Sequence, residues 1–237
     1  MPQHAPKAVL LDVGGIFHLP DHDRIRGAYA RGGFDASAAD LDRAHYTGAA
    51  RFSVTADNDV DFPARWIEYL ETYVEACGVP DDLRADVHEH LDSEFATGSL
   101  WSRVIPGSVD ALRALVATGV RVGIVSNADG NVAERLAEQE VLQVGPGMGV
   151  SVECVIDSGQ VGVMKPDARI FHLALEAMGI TNDDAWYVGD MPGIDVVGAR
   201  NAGIYPVVMD PYELHLDAGY ARVASLHDVA QLVINAS

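Results

Sequence analysis

Apolar positions along this chain change their period twice. The first patterned run, Ala8-Val9-Leu10-Leu11, is continuously apolar and stops at a single carboxylate, Asp12. A short unbroken apolar run closed by a polar residue predicts a strand covered on both faces, here over residues 7–12. Between residues 20 and 100 the spacing becomes helical. Ile67, Leu70, Val74 and Cys77 recur behind the start signals Asp61 and Pro63, and Leu83, Val87, Leu91 and Phe95 repeat the pattern after Asp81-Asp82. Asp40, Leu41 and Ala44 mark another helix, and no convincing alternating strand interrupts this stretch. From "VIPGS" (104–108) onward, helix and strand alternate. Helices are predicted over 109–118, 130–140, 167–179 and 193–203, and strands over 120–127, 152–157, 185–190 and 204–209.

Strands that alternate with helices build parallel β-α-β units. The expected fold is therefore α/β, with a doubly wound, Rossmann-like parallel-sheet core made by residues 1–19 and 101–237. A helical domain, residues 20–100, is inserted after the first strand. Three of the strands end in polar residues: at Asp12, at Ser126-Asn127 and at Gly189-Asp190. Ligands of open α/β sheets bind outside the carboxyl ends of the strands, so these three ends are expected to meet.

Composition narrows the partners. The formal net charge is −19 and the isoelectric point about 4.6. Such a chain repels phosphate backbones and anionic bilayers, which argues against nucleic acid and membrane as partners. An anionic substrate would have to be drawn in by a local cation. Lysine occurs only at Lys7 and Lys165, which makes the interior one conspicuous. Cys77 and Cys154 have neither metal spacing nor a disulfide framework, as expected of free thiols in a reducing cytoplasm. "MPQHAPKAVLLD" lacks the apolar core of a secretory signal, and no run approaches the roughly 18 apolar residues of a membrane span. The expectation is a cytoplasmic protein. Its oligomeric state is not legible here.

Four segments in order now carry a resemblance: Asp12, "VSN" (125–127), "KPD" (165–167) and "GDMPGID" (189–195). They resemble the four motifs of the haloacid dehalogenase-like hydrolase superfamily over residues 7–209, and the helical insert resembles the cap of its commonest (C1) subclass. The resemblance implies that Asp12 is a nucleophile attacking phosphorus, and that Mg²⁺ is held by Asp12, Asp190 and the Gly14 carbonyl. Asp195 would be a further acid on the metal side, or one standing behind it. Ser126 and the Asn127 backbone N–H would bind phosphoryl oxygens. Lys165 would neutralise the phosphate and orient Asp12, with Pro166 in the first turn of the following helix. Taken singly, each residue has an ordinary reading: Asp12 in a turn, Ser126 as a helix cap, Lys165 at the surface, Asp195 favoured by a helix N-terminus.

Motif one departs from the usual pattern. Phosphatases of this superfamily usually read Asp-x-Asp-Gly-Thr, the second Asp moving the proton of the leaving group. Here the run is Asp12-Val13-Gly14-Gly15-Ile16, and Gly14 transfers no proton. An Asp-x-Gly-Gly branch that includes hexose 1-phosphate phosphatases is similar. His18, Asp21 and His22 are candidate replacements for the acid. Dehalogenases also lack the second acid but carry Ser-Asn where this chain has Gly189-Asp190. Phosphonatases use a cap lysine, and residues 20–100 contain none. The resemblance thus implies a Mg²⁺-dependent phosphatase of a small phosphorylated metabolite, one with a good leaving group such as a sugar 1-phosphate. The alternative is a silent binding or regulatory protein that keeps the fold. Arg24, Arg26, His45, Tyr46, Arg51 and Trp66 are candidates for setting specificity.

Overall fold

Where the chain is continuously apolar and β-branched it forms strands, and where Asp or Ser precedes a helical period it forms helices. The computed structural model describes residues 5–52, 62–97, 100–215 and 219–236. In chain order, β1 (Ala8–Leu11) is followed by β2 (His18–Pro20), α1 (His22–Arg31), α2 (Ala38–Arg51), α3 (Phe62–Ala76), α4 (Arg84–Ala96) and β3 (Trp101–Val104). The remainder runs α5 (Ser108–Ala117), β4 (Arg121–Ser126), α6 (Val132–Glu138), β5 (Leu142–Val144), β6 (Val150–Val152), β7 (Val155–Asp157), α7 (Ser158–Val161) and α8 (Ala168–Met178). It ends with β8 (Ala185–Gly189), α9 (Pro192–Asn201), β9 (Tyr205–Met209), β10 (Ala221–Val223) and α10 (Leu226–Ala236). Two units result, one of residues up to Phe17 with Val104 onward, the other His18–Arg103.

The first unit is built on a six-stranded sheet in the order β10-β9-β8-β1-β4-β7, and its neighbouring strands are parallel. The chain begins in the middle, at β1, works outward through β4 and β7, then crosses back to β8. That reversal puts the switch in strand order beside β1, where the polar strand ends lie. One face of the sheet offers Ala8, Leu10, Val125, Ala185 and Tyr187 to Ile170, Phe171, Ala174 and Met178 of α8 and Ala199 of α9. The alternate residues Val9, Leu11, Val122, Ile124 and Val188 are equally buried, as a doubly covered parallel sheet requires. No helix among the described residues is long and apolar enough to cross a membrane. Both cysteines are free and buried, and desolvation pushes each thiol up to about 11.

Three strand expectations change. The run over 152–157 is broken: Val152 ends β6, the chain bends at Glu153-Cys154, and β7 begins at Val155. Pairing with β4 survives the bend through Glu153 N to Val122 O (2.8 Å) and Ile124 N to Cys154 O (2.9 Å). β5, β10 and α10 carry no prediction from the sequence. The pair β2–β3 forms a two-stranded sheet at the borders of a stretch read as wholly helical.

The second unit is a helical bundle. Asp21 caps α1 by accepting from Arg24 N (2.9 Å), and Ser37 caps α2 by accepting from Asp40 N (3.2 Å). The expected start signal Asp61 lies outside the described residues. The buried stripe of α3 is displaced from the expected one. Leu70, Val74 and Cys77 are buried, but Ile67 is 51% exposed, and Tyr69 and Tyr73 complete the face. Aromatic rings bury more surface than isoleucine and also find partners for their hydroxyls. Tyr69 stacks on Trp66 (5.0 Å, 16°), Tyr73 meets Phe95 edge-on (6.3 Å, 74°), and the Tyr73 hydroxyl donates to Leu41 O (3.0 Å). Leu70→Ala should therefore cost about 2–5 kcal/mol, while Ile67→Ala should stay within about 0.5 kcal/mol. Chemical denaturation of the two variants side by side measures the difference.

Candidate active site

β1, β4 and β8 release their polar residues at one edge of the sheet. Leu11 pairs with Val188, and Asp12 N donates to Val188 O (2.9 Å), so Asp12 and Asp190 leave adjacent strands side by side. The Asp12 carboxylate is held at both oxygens. Oδ1 accepts from Val13 N (2.7 Å), and Oδ2 meets Lys165 Nζ (2.7 Å).

Lys165 is only 2% exposed. Its main chain is clamped by the Asn127 side chain, Lys165 N donating to Oδ1 (2.7 Å) and Nδ2 donating to Lys165 O (3.0 Å). Its ammonium reaches Asp12 Oδ2, Asp195 Oδ1 (2.8 Å) and the Tyr187 hydroxyl (2.7 Å). Burial opposes the charge, but the carboxylates of Asp12 and Asp195 outweigh it and hold the lysine above its ordinary value. Asp195 sits in the first turn of α9. Its Oδ2 accepts from Met191 N (2.8 Å), while its Oδ1 also lies 3.2 Å from the Tyr187 hydroxyl. Burial, with Asp12 and Asp190 nearby, pushes it up to about 6 against the pull of Lys165. The lysine thus moves as a paired group and the aspartate as a buried one. With Asp195 at about 6 and Lys165 above its ordinary value, both are charged near neutrality.

Two glycines make the room. Gly15 has φ +66°, and a Cβ there would stand 2.4 Å from Asp190 Cγ. A Cβ on Gly189 would stand 2.3 Å from Asp195 Cγ. Both glycines are required by contact with an acid, and Gly15 by its left-handed backbone as well.

Asp12, Asp190 and Asp195 each offer an oxygen within 4.8 Å of the others. With all three ionised and Lys165 charged, two negative charges remain uncompensated in a buried place. An all-oxygen donor set of that charge fits a hard divalent cation such as Mg²⁺.

The expected residues Asp12, Lys165, Asp190 and Asp195 are brought together, and buried Ser126 ends β4, the strand next to β1 in the sheet. Half-buried Gly14 stands two residues after Asp12. Pro166 differs from expectation. The Lys165–Pro166 peptide bond is cis, and α8 starts only at Ala168, with Asp167 as its cap accepting from Arg169 N (2.9 Å). Within the helical unit, many of the other candidates serve its own scaffold. Asp21 caps α1, His22 pairs with Asp42 (2.8 Å), and His18 is buried in β2. Arg24 pairs with Glu94 (2.8 Å) and Arg26 with Asp35 (3.2 Å). His45 Nδ1 lies 3.0 Å from the Tyr69 hydroxyl, Trp66 stacks on Tyr69, Tyr46 is buried, and Arg51 ends α2 exposed. Sequence reasoning missed Tyr187 and the Asn127 clamp. The only signal for Tyr187 was a hydroxyl inside the otherwise apolar run Ala185-Trp186-Tyr187-Val188.

A parallel α/β sheet with a buried lysine and three acids at its carboxyl edge defines a class of site rather than a substrate. The chain belongs to the haloacid dehalogenase-like hydrolase family, whose model matches residues 7–203. Over 67 residues it is 46% identical to the phosphoserine phosphatase of Thermus thermophilus, covering 28% of this chain and 27% of that protein. Over 129 residues it is 35% identical to the phosphoglycolate phosphatase of Rhodospirillum rubrum, covering 54% and 48%. Matched stretches span between 27% and 64% of such relatives' own length. The crystal structure of a hydrolase of the same superfamily from Ehrlichia chaffeensis superposes with a TM-score of 0.57 at 15% identity, covering 98% of each chain, a likeness of fold.

The close approach at Gly189 gives a direct test of the packing. Gly189→Ala should displace the Asp195 carboxylate and cost roughly 1–3 kcal/mol, as overpacking does. Equilibrium denaturation of the variant against the wild type measures it.

Proposed function

We propose that this protein is a Mg²⁺-dependent phosphatase of small phosphorylated metabolites, working through an aspartyl-phosphate in a cytoplasmic setting. The observation that carries the reading is the convergence of Asp12, Asp190 and Asp195 within 4.8 Å, with Lys165 bonded to two of them. The phosphatase names of two relatives support it. Asp12, Asp190 and the Gly14 carbonyl would hold the cation. Bound there, it supplies positive charge to the phosphoryl oxygens and offsets the excess of carboxylates.

An Asp12 oxygen attacks phosphorus and the bond to the leaving oxygen breaks. Water then attacks the same phosphorus, the bond to Asp12 breaks, and inorganic phosphate leaves. Lys165 keeps Asp12 oriented. The Ser126 hydroxyl and the Asn127 N–H donate to the phosphoryl group. Asp195 anchors Lys165 and adds its charge on the metal side of the site. Gly14 offers no proton, so substrates whose oxygen leaves readily, such as acyl, aryl or anomeric phosphates, are the favoured class. Gly14 also favours a second reading, a silent binding module on the same fold.

Purified protein with Mg²⁺ should release phosphate from an aryl phosphate, and Asp12→Asn or chelation of the metal should take release to background. Binding of the same compounds without any release by the wild type would select the silent module. Across a series of leaving groups the wild-type rate should fall steeply as leaving-group pKa rises. Gly14→Asp should help primary alkyl phosphates most, by no more than the roughly 10² to 10⁴-fold that acid–base catalysis supplies. A flat wild-type series would mean that another residue already donates the proton.

A further inference from the structure

A lysine ammonium has three N–H donors and no acceptor. In a site this buried, each donor needs a partner, because an unmet one costs its full desolvation. Lys165 spends two donors on carboxylates, Asp12 Oδ2 at 2.7 Å and Asp195 Oδ1 at 2.8 Å. The third goes to the hydroxyl of Tyr187 at 2.7 Å. No donor is then left over for a substrate.

The phenol is placed to accept. It has one proton to give, and two acceptors compete for it, Val125 O (3.1 Å) and Asp195 Oδ1 (3.2 Å). Either choice leaves an oxygen lone pair for the lysine. Its ring is fixed edge-on against Phe171 at 4.9 Å and 87°. We infer that Tyr187 is a positioning residue, whose hydroxyl takes the third N–H of Lys165 and so commits the ammonium to the nucleophile Asp12 rather than to the substrate phosphate. Burial, and then the charges of Asp12 and Asp195, hold the phenol well above its ordinary pKa, so it remains a neutral hydroxyl. A third carboxylate in its place would add charge to a site already in excess. An apolar residue would leave a buried N–H free to swing toward the phosphoryl group.

The kinetic part of this inference rests on the phosphatase reading; the structural part does not. The chain has only two lysines, and Lys7 has a side chain 69% exposed. Lysine-selective ¹⁵N labelling of the full chain therefore gives two ammonium signals that are easily told apart. In the wild type the Lys165 protons should resist exchange with solvent under conditions where those of Lys7 are lost. Tyr187→Phe keeps the ring and its packing on Phe171. It should move the Lys165 signal and speed its exchange while leaving Lys7 unchanged. With an aryl phosphate, kcat should fall roughly ten-fold or more, the scale of one hydrogen bond to a charged group, and KM should not rise. A Lys165 signal that exchanges as fast as Lys7 in the wild type overturns the inference without any variant. So does a Tyr187→Phe protein with an unmoved Lys165 signal, or one with unchanged kcat and raised KM. A wild type that releases no phosphate removes the phosphatase reading instead, and the labelling experiment still decides the role of Tyr187.

Discussion

Four charges share one buried place in this protein, and much of the core serves to keep them there. Lys165, Asp190 and Asp195 are each 2% exposed and Asp12 is 8% exposed. Desolvating such ions costs several kcal/mol apiece, and only close, complete pairing returns it. The structure over-determines their positions accordingly. Asn127 grips the main chain of Lys165, three acceptors take its ammonium, and Gly15 and Gly189 leave space where any Cβ would strike an acid. Strand register is fixed by the same demand. A slip of one residue between β1 and β8 would send Leu11 to the opposite face of the sheet and pull Asp12 from its seat on Val188 O.

Five of the sheet's six strands were legible because they obey a simple rule, an unbroken apolar run that ends in a polar residue, and β10, with Arg222 at its centre, escaped it. That rule does not say what a terminal acid does. Asp157 and Asp210 also end strands and are buried, yet each is held largely by loop backbone. Asp157 accepts from Gly130 N, Val132 N and Gly159 N (3.1, 3.2 and 2.9 Å), and Asp210 from Leu214 N and His215 N (2.7 and 3.1 Å) as well as from the Arg222 guanidinium (2.8 Å). These acids tie loops to the sheet. Asp12 is told apart by the family motifs around it and, in the structure, by a lysine partner. Neither apolar period nor composition separates the two kinds, because the difference lies in residues far along the chain.

The helical unit was less legible for a different reason. α2, α3 and α4 were visible by period and α1 was not, and the face of α3 was hidden as well, since Ile67 and Leu70 look equivalent as apolar positions while Tyr69 and Tyr73 look amphipathic. Packing decides in favour of the rings, which bury large surfaces and still satisfy their hydroxyls. The short strands β2 and β3 carry too few residues for any alternation to register. Tyr187 escaped for the same reason as Tyr69: a tyrosine in an apolar segment reads as core until a partner for its oxygen is seen.

On the proposed reading, the saturation of Lys165 settles how charge is divided during the reaction. With its donors spent on Asp12, Asp195 and Tyr187, the lysine acts on the attacking group, orienting Asp12 beside two other acids. The incoming phosphoryl group, itself anionic, then meets a cluster that still carries excess negative charge. Its compensation has to come from the cation those acids attract and from neutral donors such as Ser126. Attraction of the metal and repulsion of the bare phosphate thus have one cause. The acidic cluster that would exclude a phosphorylated substrate from the empty site is what would make the metal-loaded site receive it, and substrate binding should be coupled to metal for that reason alone.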